Sequence, residues 1–179
     1  MIAPPMLIST IGHSTRPIEE LIHLIEANGI DQVADIRAIP RSRHNPQFNQ
    51  ETLAASLNQA GIAYRHLPLL GGHRDGRSDS VNTAWRNTSF RGFADYMQTP
   101  EFEQGLEQLM ELASKAPTAM MCAEAVPWRC HRSLVADALV ARGIAVQHIQ
   151  SARTVQAHTL TPFAKLDGWR VTYPGLLGT

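Results

Sequence analysis

The sequence predicts an α/β protein of Rossmann-like type: a mainly parallel sheet of about five strands with helices on both faces. Three observations point there. Short apolar runs alternate with helix-periodic segments through the first 150 residues. Glycines stand where the periodic segments stop, at positions 29, 61 and 143. Long polar loops follow the strands while the links after the helices are short, as expected when the strands run in one direction.

LISTIG (7–12) reads as the first strand and leads into HSTRPIEELIHLIEANG. There Ile18, Leu21, Ile22 and Ile25 share one helix face, with Ser14 or Thr15 as cap and Pro17 in the first turn. QVADIR (32–37) is the second strand, and Pro40 and Pro46 exclude regular structure from the loop after it. Asn49 caps ETLAASLNQAG, whose buried face is Leu53, Leu57 and Ala60. IAYRHL (62–67) is a third strand, followed by a long loop over roughly residues 68–89. A connection of that length in a compact domain is usually either functional or mobile.

FRGFADYM is expected as a short helix, and Thr99 with Pro100 opens a longer one with Phe102, Leu106, Leu109, Met110 and Ala113 on one face. TAMMCA (118–123), SLVADALVARG and AVQHI (145–149) supply the fourth strand, its helix and the fifth strand. From Ser151 onward Pro162, Gly168 and Pro174 interrupt any period. Residues 1–150 are therefore expected as a single domain, and 151–179 as an extension packed on it as a hairpin or strap.

Composition narrows the class. A chain of 179 residues, 44% hydrophobic and 18% charged, is enough for one core. It has no run approaching the roughly 20 apolar residues of a membrane span, and MIAPPMLIST lacks the features of a secretory signal. The expected address is the cytoplasm, with no membrane partner. In a reducing compartment the two cysteines are expected as thiols rather than as a structural disulfide.

The net charge is zero, yet fourteen arginines stand against two lysines. In a parallel sheet, ligands bind at the carboxyl ends of the strands. The loops of that edge, residues 12–17, 35–48, 66–92 and 122–133, carry ten arginines and only four acids, Asp35, Asp75, Asp79 and Glu124. An excess of six positive charges on one edge of a neutral protein predicts an anion pocket, with Arg37, Arg41, Asn45, Arg86 and Arg91 as candidate ligands beside His13 and Asp35. Asp35 and Arg37 alternate along the second strand, so both point to one face and can pair with each other.

The stretch CAEAVPWRCHRS (122–133) holds both cysteines. Cys122 is placed at the end of the fourth strand, and Cys130, His131 and Arg132 at the start of the next helix, where free N–H groups favour anions and thiolates. At least one thiol is therefore expected to titrate below the usual value of about 8.5. Arg129 and Arg132 read as anion clamps, with Trp128 beside them.

Several roles compete. Cys122 and Cys130 read as nucleophiles, and Glu124 with His131 as acid and base. The layout of strand, cysteine, loop, arginine and helix is that of rhodaneses and cysteine-dependent phosphatases. This sequence departs from the phosphatase spacing, with six residues rather than five between Cys122 and Arg129 and no glycine in the loop. A metal site on Cys122, Cys130 and His131 is an alternative, although seven residues between cysteines is not a recognised zinc spacing. A nucleic-acid-binding module is another, given arginines interleaved with Phe48, Trp85 and Phe90. The plain alternative makes Cys122 a small core residue and Trp128 a packing anchor.

TIGHST, DIR, SRHNPQFN, HLPLLGG, WRNTSFRGFADYM and CAEAVPWRCHRSLVADALVARG together resemble the bacterial family catalogued as domain of unknown function 488. The resemblance covers about residues 9–149 and continues more weakly into LTPFAKLDG. It implies a Rossmann-like α/β fold and carries no established reaction or cofactor. The expected function is an enzyme with an anion pocket lined by arginine, histidine and cysteine, acting on a phosphorylated or nucleotide-like substrate.

Overall fold

The structure, a computed structural model, describes residues 6–175. In chain order the elements are β1 (Leu7–Gly12), α1 (Ile18–Ala27), β2 (Gln32–Asp35), α2 (Gln50–Gln59), β3 (Ala63–His66), α3 (Thr88–Tyr96) and α4 (Pro100–Lys115). They continue with β4 (Thr118–Cys122), α5 (Arg132–Ala141), β5 (Ala145–Ile149), β6 (Val155–Ala157), β7 (Lys165–Asp167) and β8 (Arg170–Thr172). Six strands form one sheet in the order β3-β2-β4-β1-β5-β6, and β7 pairs with β8 in a separate hairpin. The sheet is parallel through its first five strands and antiparallel only where β6 joins β5. This is an α/β fold of Rossmann-like type.

The alternation of side chains along each strand divides the core in two. Ile11, Val33, Ala119 and Met121 face α1 and α2, where Leu21, Leu24, Ile25, Leu53 and Leu57 are buried. Ile8, Ala34, Met120 and Cys122 face α3, α4 and α5, where Phe93, Phe102, Leu106, Leu109 and Leu134 are buried. Burial of one such side chain is worth about 1.5–3 kcal/mol, so the two layers fix which face of each strand looks at which helix.

Several local details differ from the sequence expectation. Pro17, not Ser14 or Thr15, precedes α1 and makes no side-chain cap. Ser14 instead takes φ 52° in a tight turn, where its N–H donates to the Ala123 carbonyl at 2.8 Å. Asn49 precedes α2, but its Oδ1 accepts from the Ser42 N–H at 2.7 Å and so pins the preceding loop rather than capping the helix. That loop carries a short 3-10 turn, Pro46–Phe48, with Phe48 fully buried. The sheet has six strands rather than about five, because the tail adds β6.

The tail is fastened to the core through Asp137 on α5, which is fully buried. Its carboxylate accepts from His158 Nε2 at 2.8 Å, from the Thr161 backbone and hydroxyl at 3.1 and 2.7 Å, and from the Tyr173 hydroxyl at 2.7 Å. Burial, then the charge of Asp137, raises the Tyr173 pKa far above its ordinary value, so the phenol remains a donor at all working pH.

Candidate functional site

Pairing register brings three strand ends to one level. Gly12 lies opposite Cys122, and Asp35 opposite Met121, so the loops after β1, β2 and β4 leave the sheet side by side. Between them and α3 lies a cavity of about 730 Å³. Its size is within the range of small-molecule sites.

Of the expected site residues, His13, Arg37, Arg41, Asn45, Cys122, Glu124, Arg129, Cys130 and His131 line this cavity. Arg86, Arg91, Trp128 and Arg132 do not. Arg91 turns its guanidinium to the Trp85 carbonyl, at 2.9 and 3.0 Å, and Trp128 is 64% exposed. The cavity also takes in Ser89 and Phe93 from α3, which the sequence reading did not name, and Phe90, which it named only for the nucleic-acid alternative. The available signal was Asn87, whose side chain caps α3 by accepting from the N–H groups of Ser89 and Phe90.

Asp35 and Arg37 do pair. Asp35 is fully buried and accepts from Arg37 three times, through Nε at 2.9 Å, Nη2 at 2.7 Å and the backbone N–H at 3.1 Å. The Tyr64 hydroxyl donates to the same carboxylate at 2.5 Å. Burial first, then the Asp35 charge, keeps the Tyr64 phenol protonated by raising its pKa well above the ordinary value. Asp35 does not reach the cavity; it locks the guanidinium of Arg37 into the wall.

His13 stacks on Phe48 with ring centroids 4.2 Å apart, and its Nδ1–H donates to the Ser14 carbonyl at 2.8 Å. That tautomer leaves Nε2 as an acceptor, 3.4 Å from Arg37 Nη1. Desolvation pulls the His13 pKa down to about 4, so the ring is neutral near pH 7 and orients Arg37 rather than adding a charge.

His131 is set similarly. Its Nε2–H donates to the Ile36 carbonyl at 2.9 Å, and Nδ1 faces Cys130 Sγ at 3.5 Å. Burial lowers its pKa to about 4. Once the Cys122–Cys130 disulfide is reduced, a neutral ring with its lone pair aimed at Cys130 accepts from the S–H.

Arg132 departs most from expectation. It is 1% exposed and lies beneath the cavity floor, with no face left for a substrate anion. Nε donates to Thr10 Oγ1 at 3.2 Å, Nη2 to the Ala125 carbonyl at 3.0 Å, and Nη1 to both the Glu124 carbonyl and Cys122 Sγ, the latter at 2.7 Å. Desolvation lowers its pKa to about 10, which leaves it cationic near neutrality. Gly12 makes room for this arrangement, because a Cβ there would overlap the Glu124 carbonyl. Behind Thr10, polar contacts continue to His148 Nδ1 at 2.6 Å and from His148 Nε2 to His158 Nδ1 at 2.9 Å.

The Sγ atoms of Cys122 and Cys130 are in contact, with Cα atoms 7.4 Å apart. Cys122 is 2% and Cys130 6% exposed, and both side chains border the cavity. Cys130 Sγ also accepts from the Arg132 backbone N–H at 3.4 Å, at the start of α5. The structure joins them as a Cys122–Cys130 disulfide, against the expectation of two separate thiols, because the end of β4 and the turn before α5 bring the two sulfurs together. Among the described residues, no group of three or more His, Cys, Asp or Glu is placed to hold a metal ion, and no helix is long and apolar enough to cross a membrane.

No curated protein and no solved structure matches the chain. Residues 17–139, more than half of the chain and the segment that carries β2, β4, both cysteines and most of the cavity wall, match the family model described as Domain of unknown function DUF488. The chain belongs to that family.

Proposed function

We propose that the protein is an enzyme that binds a phosphorylated or nucleotide-like anion in this cavity and acts on it through the thiols of the wall. The observation that carries the reading is the pairing of the two sulfurs on a cavity bordered by Arg37, Arg41 and Arg129 and by one acid, Glu124. Arg41 and Arg129 are exposed at the mouth and make no side-chain hydrogen bond or ion pair among the described residues, so their donors face solvent. Arg37 is fixed deeper by Asp35. A graded set of guanidinium groups of this kind grips phosphate oxygens with planar, always-charged forks.

Glu124 stands on the loop between the cysteines and supplies the only carboxylate of the wall among the described residues, which suits proton transfer at a bound ligand. Arg132 supports the same loop from below.

The reading is tested by thermal shift with nucleotides and sugar phosphates on the reduced protein and on an Arg41→Ala/Arg129→Ala variant. A ligand at about one hundred times its Kd stabilises the protein by about 2.7 kcal/mol. We expect at least one phosphate-bearing ligand to do so, with most of the effect lost in the variant. No stabilisation by any of them, or equal stabilisation of the variant, refutes the anion pocket; salt-sensitive binding of single-stranded DNA or RNA in their place would favour a nucleic-acid module.

A further inference from the structure

We propose that Cys122 and Cys130 form a dithiol–disulfide couple that reduces a disulfide carried by an anionic, nucleotide-like ligand in the cavity. The choice of ligand rests on the anion reading above; the thiol chemistry stands on the cysteines themselves.

The two side chains come from different elements, the end of β4 and the residue two places before α5, yet their sulfurs meet at one wall of the cavity. A pair of thiols that serve only as core filler has no need of polar partners, whereas each of these has its own. Cys122 Sγ accepts a charge-assisted bond from Arg132 Nη1 at 2.7 Å, which stabilises the sulfur as thiolate. Cys130 Sγ faces His131 Nδ1 and the first N–H of α5. The bond between them closes the loop of residues 123–129 on itself. Ala123, Glu124 and Ala125 of that loop are exposed, and Glu124 borders the cavity. Reduction of the pair therefore releases a loop that borders the pocket.

The steps balance as thiol–disulfide exchange. Cys130, the more exposed sulfur, attacks one sulfur of the ligand disulfide; the ligand S–S bond breaks, and the departing thiolate takes the Cys130 proton, passed by way of His131 Nδ1. A mixed disulfide between Cys130 and the second half of the ligand remains. The Cys122 thiolate then attacks Cys130 Sγ, and the second half leaves as a thiolate. The ligand disulfide gains two electrons, and the dithiol becomes the Cys122–Cys130 disulfide. An external thiol returns the protein to its starting state.

The experiment uses the full chain, reduced and freed of reductant, with coenzyme A disulfide and with pantethine, which presents the same reactive centre without the nucleotide. We expect coenzyme A disulfide to remove both thiols, giving a product two hydrogens lighter with no adduct, at a rate at least tenfold above that for pantethine. Dithiothreitol should restore both thiols. In Cys122→Ser the mixed disulfide on Cys130 should persist, while Cys130→Ser should react at least tenfold more slowly than the native protein. Retention of both thiols with both disulfides overturns the proposal, as does a stable adduct on the native protein with no internal bond. Equal rates with the two disulfides uphold the thiol couple and overturn the anion reading of the pocket. Because the native protein alone decides between these results, a serine variant that fails to fold does not remove the test.

Discussion

Arg132 Nη1 lies 2.7 Å from Cys122 Sγ while the same guanidinium holds the Glu124 and Ala125 carbonyls, so one buried side chain steadies both a thiol and the loop that covers it. Arg132→Ala removes a cation and leaves Thr10 Oγ1, two carbonyls and a sulfur without their donor. We expect a loss of about 3 kcal/mol or more, read as a lower urea midpoint. Arg132→Lys should recover little, since an ammonium cannot reach in several directions at once. A loss below about 0.5 kcal/mol, the range of ordinary surface changes, would contradict this account.

Asp35→Asn should cost about 3–5 kcal/mol, because it strands the Arg37 cation inside the wall. Pairing it with Arg37→Met should regain part of that stability while abolishing anion binding. Additive losses in the double variant would show that the two side chains act separately.

Stability should decline as the pH falls from about 6.5 towards 4. His13, His131 and His148 each have a folded-state pKa of about 4, set chiefly by burial, against 6.5 for the free side chain. The unfolded chain therefore takes up protons first, and the stability held above pH 6.5 is lost as the pH drops through that window. Urea midpoints at pH 7.5, 6 and 4.5 measure it, with an expected total loss of at least about 2 kcal/mol. A flat profile would mean that these rings protonate freely in the fold.

In the reduced protein, Gly12→Ala should raise the reactivity of Cys122 towards alkylating agents at a large cost in stability, because the loop backbone must move. The added methyl group displaces the Glu124 carbonyl and with it the cover of the sulfur. Unchanged alkylation would show that the loop does not control access.

Much of the sheet was legible because β1, β2, β4 and β5 bury residues on both faces. LISTIG and AVQHI coincide with β1 and β5 in full. In the tail the β7–β8 hairpin answers the expectation of a hairpin, but β6 was not legible, for all three of its residues are exposed and leave no apolar signature. Asn49 sits at the expected cap, but its side chain was claimed by a loop amide that local sequence cannot foretell. The charged edge was visible as composition, whereas the inward turn of Arg132 and the outward turn of Arg91 depend on which carbonyls the fold brings near. The meeting of Cys122 with Cys130 likewise depends on the loop between them folding back, which spacing alone leaves open.

The fastening of Asp137 has a consequence for how this chain can vary. The acid lies within the segment matched to the family, yet every donor to its carboxylate comes later, from residues 158, 161 and 173. A chain cut after Gln150 would leave that carboxyl group in an apolar layer without its donors, so truncation there should cost about 3 kcal/mol or more. Exchange of tails between relatives should succeed only when position 137 travels with its donors. The helix that presents Cys130 thus inherits its stability from residues far downstream, and evolution cannot redesign the one without consulting the other.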